Sequence, residues 1–316
     1  MADVYHFIVN PKSGSTPEIA AVRHLRDYLA RRGDVVRLAV TRSLAHAGEL
    51  AASAVSADGA GIVIAGGDGT IRSVVEAVAG AEIPLIILPC GTENLLAQEL
   101  GIDGSARTTC TLVDHGRLRQ LDLGQANGRC FMAIAGVGFD AEVIRRINQF
   151  RSGHITHAHY IWPICRTFWE YRFPHLRVEV DGQLLCDEPS LVFVGNIARY
   201  AVSLPILPEA DCSDGLLDIC IYKCRRRPRL LLHSLLTILG QSHRSGQVVR
   251  ARGRHIAISS PEPDVPVQLD GDPGPSLPLS ITVVPAAARV MTPPAPAHHQ
   301  YCPPVRFFHL RRWLFK

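Results

Sequence analysis

Four short apolar runs recur in the first hundred residues, each followed by a stretch with helical spacing. This alternation limits the fold more than any other feature of the chain. The runs are Val4–Val9, Val35–Val40, residues 61–65 and residues 85–88. The helical stretches are residues 17–32, where Ile19, Val22, Leu25 and Leu29 repeat on one face, then 44–57, 71–79 and 94–100. Strands alternating with helices at this spacing predict a parallel sheet covered on both faces. In such sheets ligands bind beyond the carboxyl ends of the strands.

Further on, the texture changes to strand-rich runs at residues 130–135, 176–180, 191–195, 217–222, 255–259, 265–269 and 279–284. Helical stretches at 141–150, 159–173 and 229–240 interrupt them. We expect an α/β domain over residues 1–120 and an antiparallel β-sandwich over 121–284. A return to the first domain is expected over 285–292, then a linker and basic tail over 293–316. A chain of 316 residues suits two domains, and 47% apolar residues can fill two cores without staples. The nine cysteines show no CxxC pair, and Cys220 and Cys224 lack histidine companions, so free thiols in a reducing compartment are expected. No secretory segment and no run of about 18 apolar residues is visible, so a cytoplasmic location is the expectation.

Three loops of small and hydroxyl-bearing residues fall at one edge of the expected sheet. Gly66-Gly67-Asp68-Gly69-Thr70 follows the third strand and leads into a helix from Ile71. Glycines there permit close backbone approach, and a helix N-terminus presents free N–H groups to an anion. Asp68 would repel a phosphate unless it binds a metal or a sugar hydroxyl, or sits beside magnesium. Asn10-Pro11-Lys12-Ser13-Gly14-Ser15 follows the first strand, and Pro89-Cys90-Gly91-Thr92-Glu93-Asn94 follows the fourth. Each alone is as good a tight turn as a site. Together they predict one continuous polyphosphate cradle.

NPKSG, GGDGT, PCGTENLLAQELGI, GVGFDAEV, DGLLD and LDGD occur in this order from about Tyr5 to Met291. This set resembles the diacylglycerol kinase catalytic family, in its bacterial lipid kinase branch, related to sphingosine and ceramide kinases. The resemblance implies ATP and Mg2+ as cofactors and a cleft between the two domains. It places Asn10, Ser13, Gly14 and Ser15 near the phosphates and Thr41 at the nucleotide. Gly66, Gly67, Asp68, Gly69, Thr70, Ile71 and Arg72 form the main nucleotide loop, with Thr92 and Asn94 beside it. Asp68 and Asp122 are implied in catalysis, Asp122 by helping to hold magnesium through water. Asp214 is implied to bind a structural magnesium with backbone oxygens of Asp211 and Leu216, and Asp272 to be the general base. The sequence departs from the family at Leu95, where an acid is frequent, at Arg72-Ser73, where an Asn is frequent, and at Asp272, where Glu is common. Asp270 is the rival acid, expected to hold the turn or a water near magnesium, and LDGDPG also reads as a plain hairpin turn.

Other signals stay open. His154, His157 and His159 read as a metal set or as a polar loop. The aromatic stretch Tyr160, Trp162, Phe168, Trp169, Tyr171 and Phe173 reads as a core helix or as an apolar wall for acyl chains. Residues 223–254 hold nine Lys/Arg and no acid, and residues 305–316 mix aromatic side chains with Arg306, Arg311, Arg312 and Lys316, against a net charge of only +4. The basic half suits an anionic partner, with a lipid substrate at the membrane surface and anionic phospholipids expected, and nucleic acid not. The tail suits a membrane surface, its own domain or a homodimer partner. NAD kinase and a nucleotide-binding regulator without transfer activity are the alternative functions.

Overall fold

The computed structural model describes residues 2–13, 16–57, 59–149, 158–200 and 204–294. The N-terminal half runs β1 (Val4–Val9), α1 (Thr16–Arg32), β2 (Val35–Val40), α2 (Leu44–Ser56), β3 (Gly61–Gly66), α3 (Asp68–Ala77), β4 (Pro84–Pro89), α4 (Leu95–Glu99) and α5 (Ala106–His115). The C-terminal half continues β5 (Arg117–Ala126), β6 (Arg129–Phe131), β7 (Ile134–Val137), α6 (Phe139–Gln149), α7 (Ala158–Glu170), β8 (His175–Val180) and β9 (Gln183–Gly195). Then follow β10 (Leu217–Lys223), α8 (Arg227–Ile238), β11 (Val248–Gly253), β12 (His255–Ser259), β13 (Val267–Leu269), β14 (Asp272–Pro273) and β15 (Leu279–Thr292).

The first half is a parallel sheet in the order β2-β1-β3-β4. Strand β3 is buried throughout, as a strand covered on both faces must be. Leu25 and Leu29 of α1, Ala47 and Ala51 of α2 and Ile71 and Val74 of α3 close its core. The second half is antiparallel: β7, β8, β9, β10, β12 and β13 pair around an interior of Val178, Val192, Ile219, Ile256 and Leu269. This is the expected combination of a parallel α/β sheet with an antiparallel sandwich.

A long ribbon of β5 and β15 joins the halves. Ile281 to Val284 pair with Leu123 to Ala126, and Ala288 to Thr292 with Arg117 to Leu121, across a bulge. Beyond the bulge, Arg289 and Val290 pair in parallel with β4, so the chain returns to the first sheet without a break in the strand. Several elements differ from the sequence expectation. Helix α3 begins at Asp68 rather than Ile71, because Gly67 is its N-cap and an acid is favoured in a first turn. Helix α5 and strand β5 were not expected. Ser105 caps α5 by accepting from the Thr108 N–H at 3.1 Å. The run 130–135 divides into β6 and β7.

Candidate active site

The loops after β1, β3 and β4 meet at one edge of the parallel sheet. The Asn10 side-chain amide donates to Thr70 Oγ1 at 2.8 Å, and its carbonyl oxygen accepts from the Lys12 N–H at 3.0 Å, so the first loop is tied to the start of α3. Thr41, buried at the end of β2, is held next to β1 by its N–H to the Val9 carbonyl at 2.8 Å. The second and third loops lie back to back. A Cβ on Gly91 would sit 2.7 Å from the Gly67 Cα, and one on Gly67 would sit 3.1 Å from the Gly91 Cα and 4.0 Å from Ser13 Oγ. Only glycines allow that approach. Asn94, at φ 52°, clamps its own loop: its carbonyl oxygen accepts from the Gly91 N–H at 2.7 Å and its amide donates to the Gly91 carbonyl at 2.8 Å. Asn94 therefore shapes the loop that carries Thr92. Gly14 and Ser15 lie outside the described residues, as do His154, His157 and the basic tail.

Asp68 opens α3 at the centre of this arrangement. Its Oδ1 is buried and has no hydrogen-bond partner. Burial raises its pKa, against the amides of Leu95, Leu96 and Asn94 at the start of α4, which favour the charged form. Asp270 across the cleft raises it further. A buried carboxylate oxygen left without a partner, beside a backbone surface that a Cβ would fill, is what a nucleotide with its cation requires. One turn later, Arg72 reaches into the other half of the protein. It donates to Asp272 Oδ2 at 2.6 Å and to the Leu269 carbonyl at 3.1 Å.

LDGD forms a hairpin turn and also meets helix α3 through Arg72. Asp270 and Gly271 take positive φ between β13 and β14, as a two-residue hairpin requires. Asp270 is buried and holds the turn: its carboxylate accepts from the N–H groups of Met132, Ala133 and Ile134 at 2.8, 2.8 and 2.9 Å. Asp272 is part-exposed and bound to Arg72, which leaves it the cleft acid of the pair.

Asp122 is held by backbone groups from two other segments. Its Oδ2 accepts from the Gly215 N–H and its Oδ1 from the Ala286 N–H, each at 2.7 Å, and Asn196 donates to its carbonyl at 2.7 Å. Both carboxylate oxygens are thus engaged by backbone in a buried position. Asp122 pins the loop at Gly215 to the bulge of β15, and its expected part in holding magnesium through water rests on the family resemblance. In that loop Asp214 is exposed and accepts from the Leu216 N–H at 3.0 Å. Arg119 takes the Asp211 carboxylate at 2.6 Å. The Asp214 carboxylate is thus exposed, while the Asp211 carboxylate is engaged by Arg119. Among the described residues, no three His, Cys, Asp or Glu side chains cluster as a metal site.

Sequence reasoning missed Asp140. It opens α6, with the Tyr200 hydroxyl donating to its Oδ2 at 3.3 Å. The residue keeps some exposure, but its carboxyl is enclosed, and burial pushes its pKa up to about 6 despite Tyr200 and Gln268. Its motif, GVGFDAEV, was visible; its partners, 60 and 128 positions away, were not.

A family model described as "Diacylglycerol kinase catalytic domain" matches residues 4–126, and one described as "YegS C-terminal NAD kinase beta sandwich-like domain" matches residues 133–292. The fold is that of the diacylglycerol kinase type of lipid kinase. The chain belongs to this family. It is 32% identical over 294 residues to a protein of Mycobacterium tuberculosis named "Diacylglycerol kinase", covering 90% of this chain and 94% of that one. It is 30% identical over 276 residues to a Pseudomonas putida protein named "Probable lipid kinase YegS-like", covering 87% and 90%. A solved structure of a diacylglycerol kinase from Bacillus anthracis shares the fold, with a TM-score of 0.69 at 21% identity over 92% of this chain and 97% of that one.

Proposed function

We propose that this protein transfers the γ-phosphoryl group of ATP to a lipid hydroxyl, converting diacylglycerol to phosphatidic acid. One observation carries the reading. The unpartnered Asp68 oxygen lies among the three loops, and Arg72 on the same helix draws Asp272 in from the other half. Phosphoryl transfer asks a protein for alignment, charge neutralisation and a proton acceptor. In this reading Asn10, Ser13, Thr70 and the amide at Gly67 hold the phosphates. Asp68 would hold a bound Mg2+ there, which would supply charge neutralisation. The lipid hydroxyl oxygen bonds to the γ-phosphorus, the bond from that phosphorus to the β-γ bridging oxygen breaks, and ADP leaves. The hydroxyl proton passes to Asp272. Arg72 occupies the Asp272 oxygen, so turnover requires Arg72 to release it, and the phosphates are the natural new partner for a guanidinium. The same ion pair supports the second reading, a nucleotide-binding regulator in which Arg72 never lets go.

The test is transfer of labelled γ-phosphate to a mixed panel of lipids, with the product identified by mass. Asp272→Asn is expected to lose about 10²–10⁴ in kcat with little change in ATP affinity, as removal of a general base does, and Asp272→Glu to keep part of the rate. Turnover within a few-fold of wild type in Asp272→Asn overturns the role of Asp272. ATP binding with no lipid product in the wild type favours the regulator.

A further inference from the structure

Helix α8 is built inside out. It turns Leu230, His233 and Thr237 toward the protein and leaves Leu231, Leu232, Leu235, Ile238 and Leu239 exposed. At 3.6 residues per turn, these five and the exposed Pro228 fall within about 120° of the helix circumference. Inward, His233 Nε2 meets the Lys223 carbonyl at 3.1 Å and Thr237 the Tyr222 hydroxyl at 3.0 Å, while His233 Nδ1 is buried without a partner. The outward apolar face has no cover among the described residues.

The surroundings of that face indicate what covers it. The first turn of α8 has no acid and is flanked by Arg225, Arg226, Arg227 and Arg229, which oppose the helix dipole. Arg226 and Arg229 form no ion pair among the described residues. Arg227 donates to the carbonyls of Phe168 and Trp169, which places the end of α7 beside the start of α8. On α7, Trp162 and Trp169 are 71% and 69% exposed, and their spacing of seven puts them on one face with Arg166. Tryptophan, leucine and arginine on adjoining helices form the composition of a surface that sits at a lipid–water interface.

We propose that the outward face of α8, with Trp162 and Trp169 of α7, docks on an anionic lipid bilayer. Charge selects this occupant. The chain's own tail carries Arg306, Arg311, Arg312 and Lys316 and no acid after residue 304, so it is repelled by the arginines around α8. A second copy would oppose the same arginines to themselves. Nucleic acid satisfies the arginines but leaves five leucine and isoleucine side chains in water. The proposal deepens the lipid kinase reading, since it brings the cleft to the phase that holds the substrate.

The experiment is vesicle flotation with the full chain and no ATP. One set of vesicles is phosphatidylcholine alone, and the other is equimolar phosphatidylcholine and phosphatidylglycerol. The wild type is expected to float with the anionic vesicles only. The triple variant Leu231→Ser, Leu235→Ser, Ile238→Ser is expected to lose about 100-fold in partitioning, and it keeps its fold because all three side chains are exposed. Arg226→Glu with Arg229→Glu is expected to lose about 25-fold. The proposal is overturned by a wild type that does not float, or by a serine variant that floats undiminished. It is equally overturned by a wild-type dimer that the serine variant converts to monomer in sedimentation, or by Trp313→Ser with Phe315→Ser increasing flotation, since then a second copy or the tail covers the face. Because flotation needs no turnover, a chain that binds vesicles but phosphorylates no lipid sinks the kinase reading and leaves the docking face standing.

Discussion

Helices α3 and α8 each follow a strand, one in each half of the protein, yet they treat their side chains in opposite ways. Helix α3 starts on an acid, Asp68, buries Ile71, Val74 and Val75, and uses its one arginine to hold Asp272. Helix α8 starts among arginines and buries a histidine and a threonine. In α3 the hydrophobic effect, the dipole and the backbone amides act together, and the outcome is a rigid platform for a charged ligand. In α8 the same effects oppose the packing that is found, and its apolar face has no cover among the described residues. A helix that obeys the patterning rules positions chemistry within the protein; one that breaks them in a concerted way presents a surface to a partner.

The sharpest way to break this comparison is to change the first turn of each helix. Asp68→Ala is expected to lower kcat by about 10²–10³, because it removes the carboxylate that would hold the charge-neutralising Mg2+ at the phosphates. Arg226→Ala, one residue before α8, is expected to leave turnover of a short-chain, water-soluble diacylglycerol unchanged. Labelled phosphate transfer measures both. Equal losses in the two variants would mean that α8 also serves the chemistry, and normal turnover in Asp68→Ala would remove Asp68 from the site.

A second pair tests the packing. Ile71 is fully buried, and Ile71→Ala is expected to cost about 2–5 kcal/mol by loss of transfer energy and creation of a cavity. Leu235 is 51% exposed, and Leu235→Ala is expected to change stability by less than about 0.5 kcal/mol. Urea unfolding of both variants in the absence of lipid decides the matter. A large loss in Leu235→Ala would show that α8 packs against something in the isolated chain.

How far these differences were legible depends on the range of the interaction. Strands β1, β3 and β4 announce themselves as apolar runs because both of their faces are covered. The first half of β5, Arg117 to Gln120, is largely exposed and carries two arginines, so it shows no such run; its pairing with β15 defines it as a strand. The reading of β15 ended at Val284 because Pro285 and Ala286, at φ 51°, interrupt the pattern at the bulge that Asp122 holds. The three phosphate loops were legible from glycine and hydroxyl content. The contact between Arg72 and Asp272 spans 200 positions, and nothing local in either residue reveals it. The inside-out character of α8 was hidden because periodicity shows that a helix has an apolar stripe, not which way the stripe faces.

Helix α6 lies between the two cases and gives the last prediction. Like α3 it opens on acids, Asp140 and Glu142, which the dipole favours. Unlike Asp68, Asp140 has a hydroxyl donor in Tyr200, and still burial dominates, raising its pKa from 3.8 to about 6. The folded state then holds a proton on Asp140 over a range where the unfolded chain has lost it. The stabilising contribution of that proton is fully present below about pH 3.8 and is lost as pH rises through about 6. Two pK units correspond to on the order of 2–3 kcal/mol, an upper bound for a group that keeps some exposure. Asp140→Asn mimics the protonated form at every pH. It is therefore expected to match the wild type near pH 4 and to exceed its stability near pH 7, by up to that amount. Urea unfolding at the two pH values measures the difference. If the gap between wild type and Asp140→Asn is the same at both, the dipole and Tyr200 have offset burial, and α6 belongs with α3 as a helix whose first turn accommodates its charge.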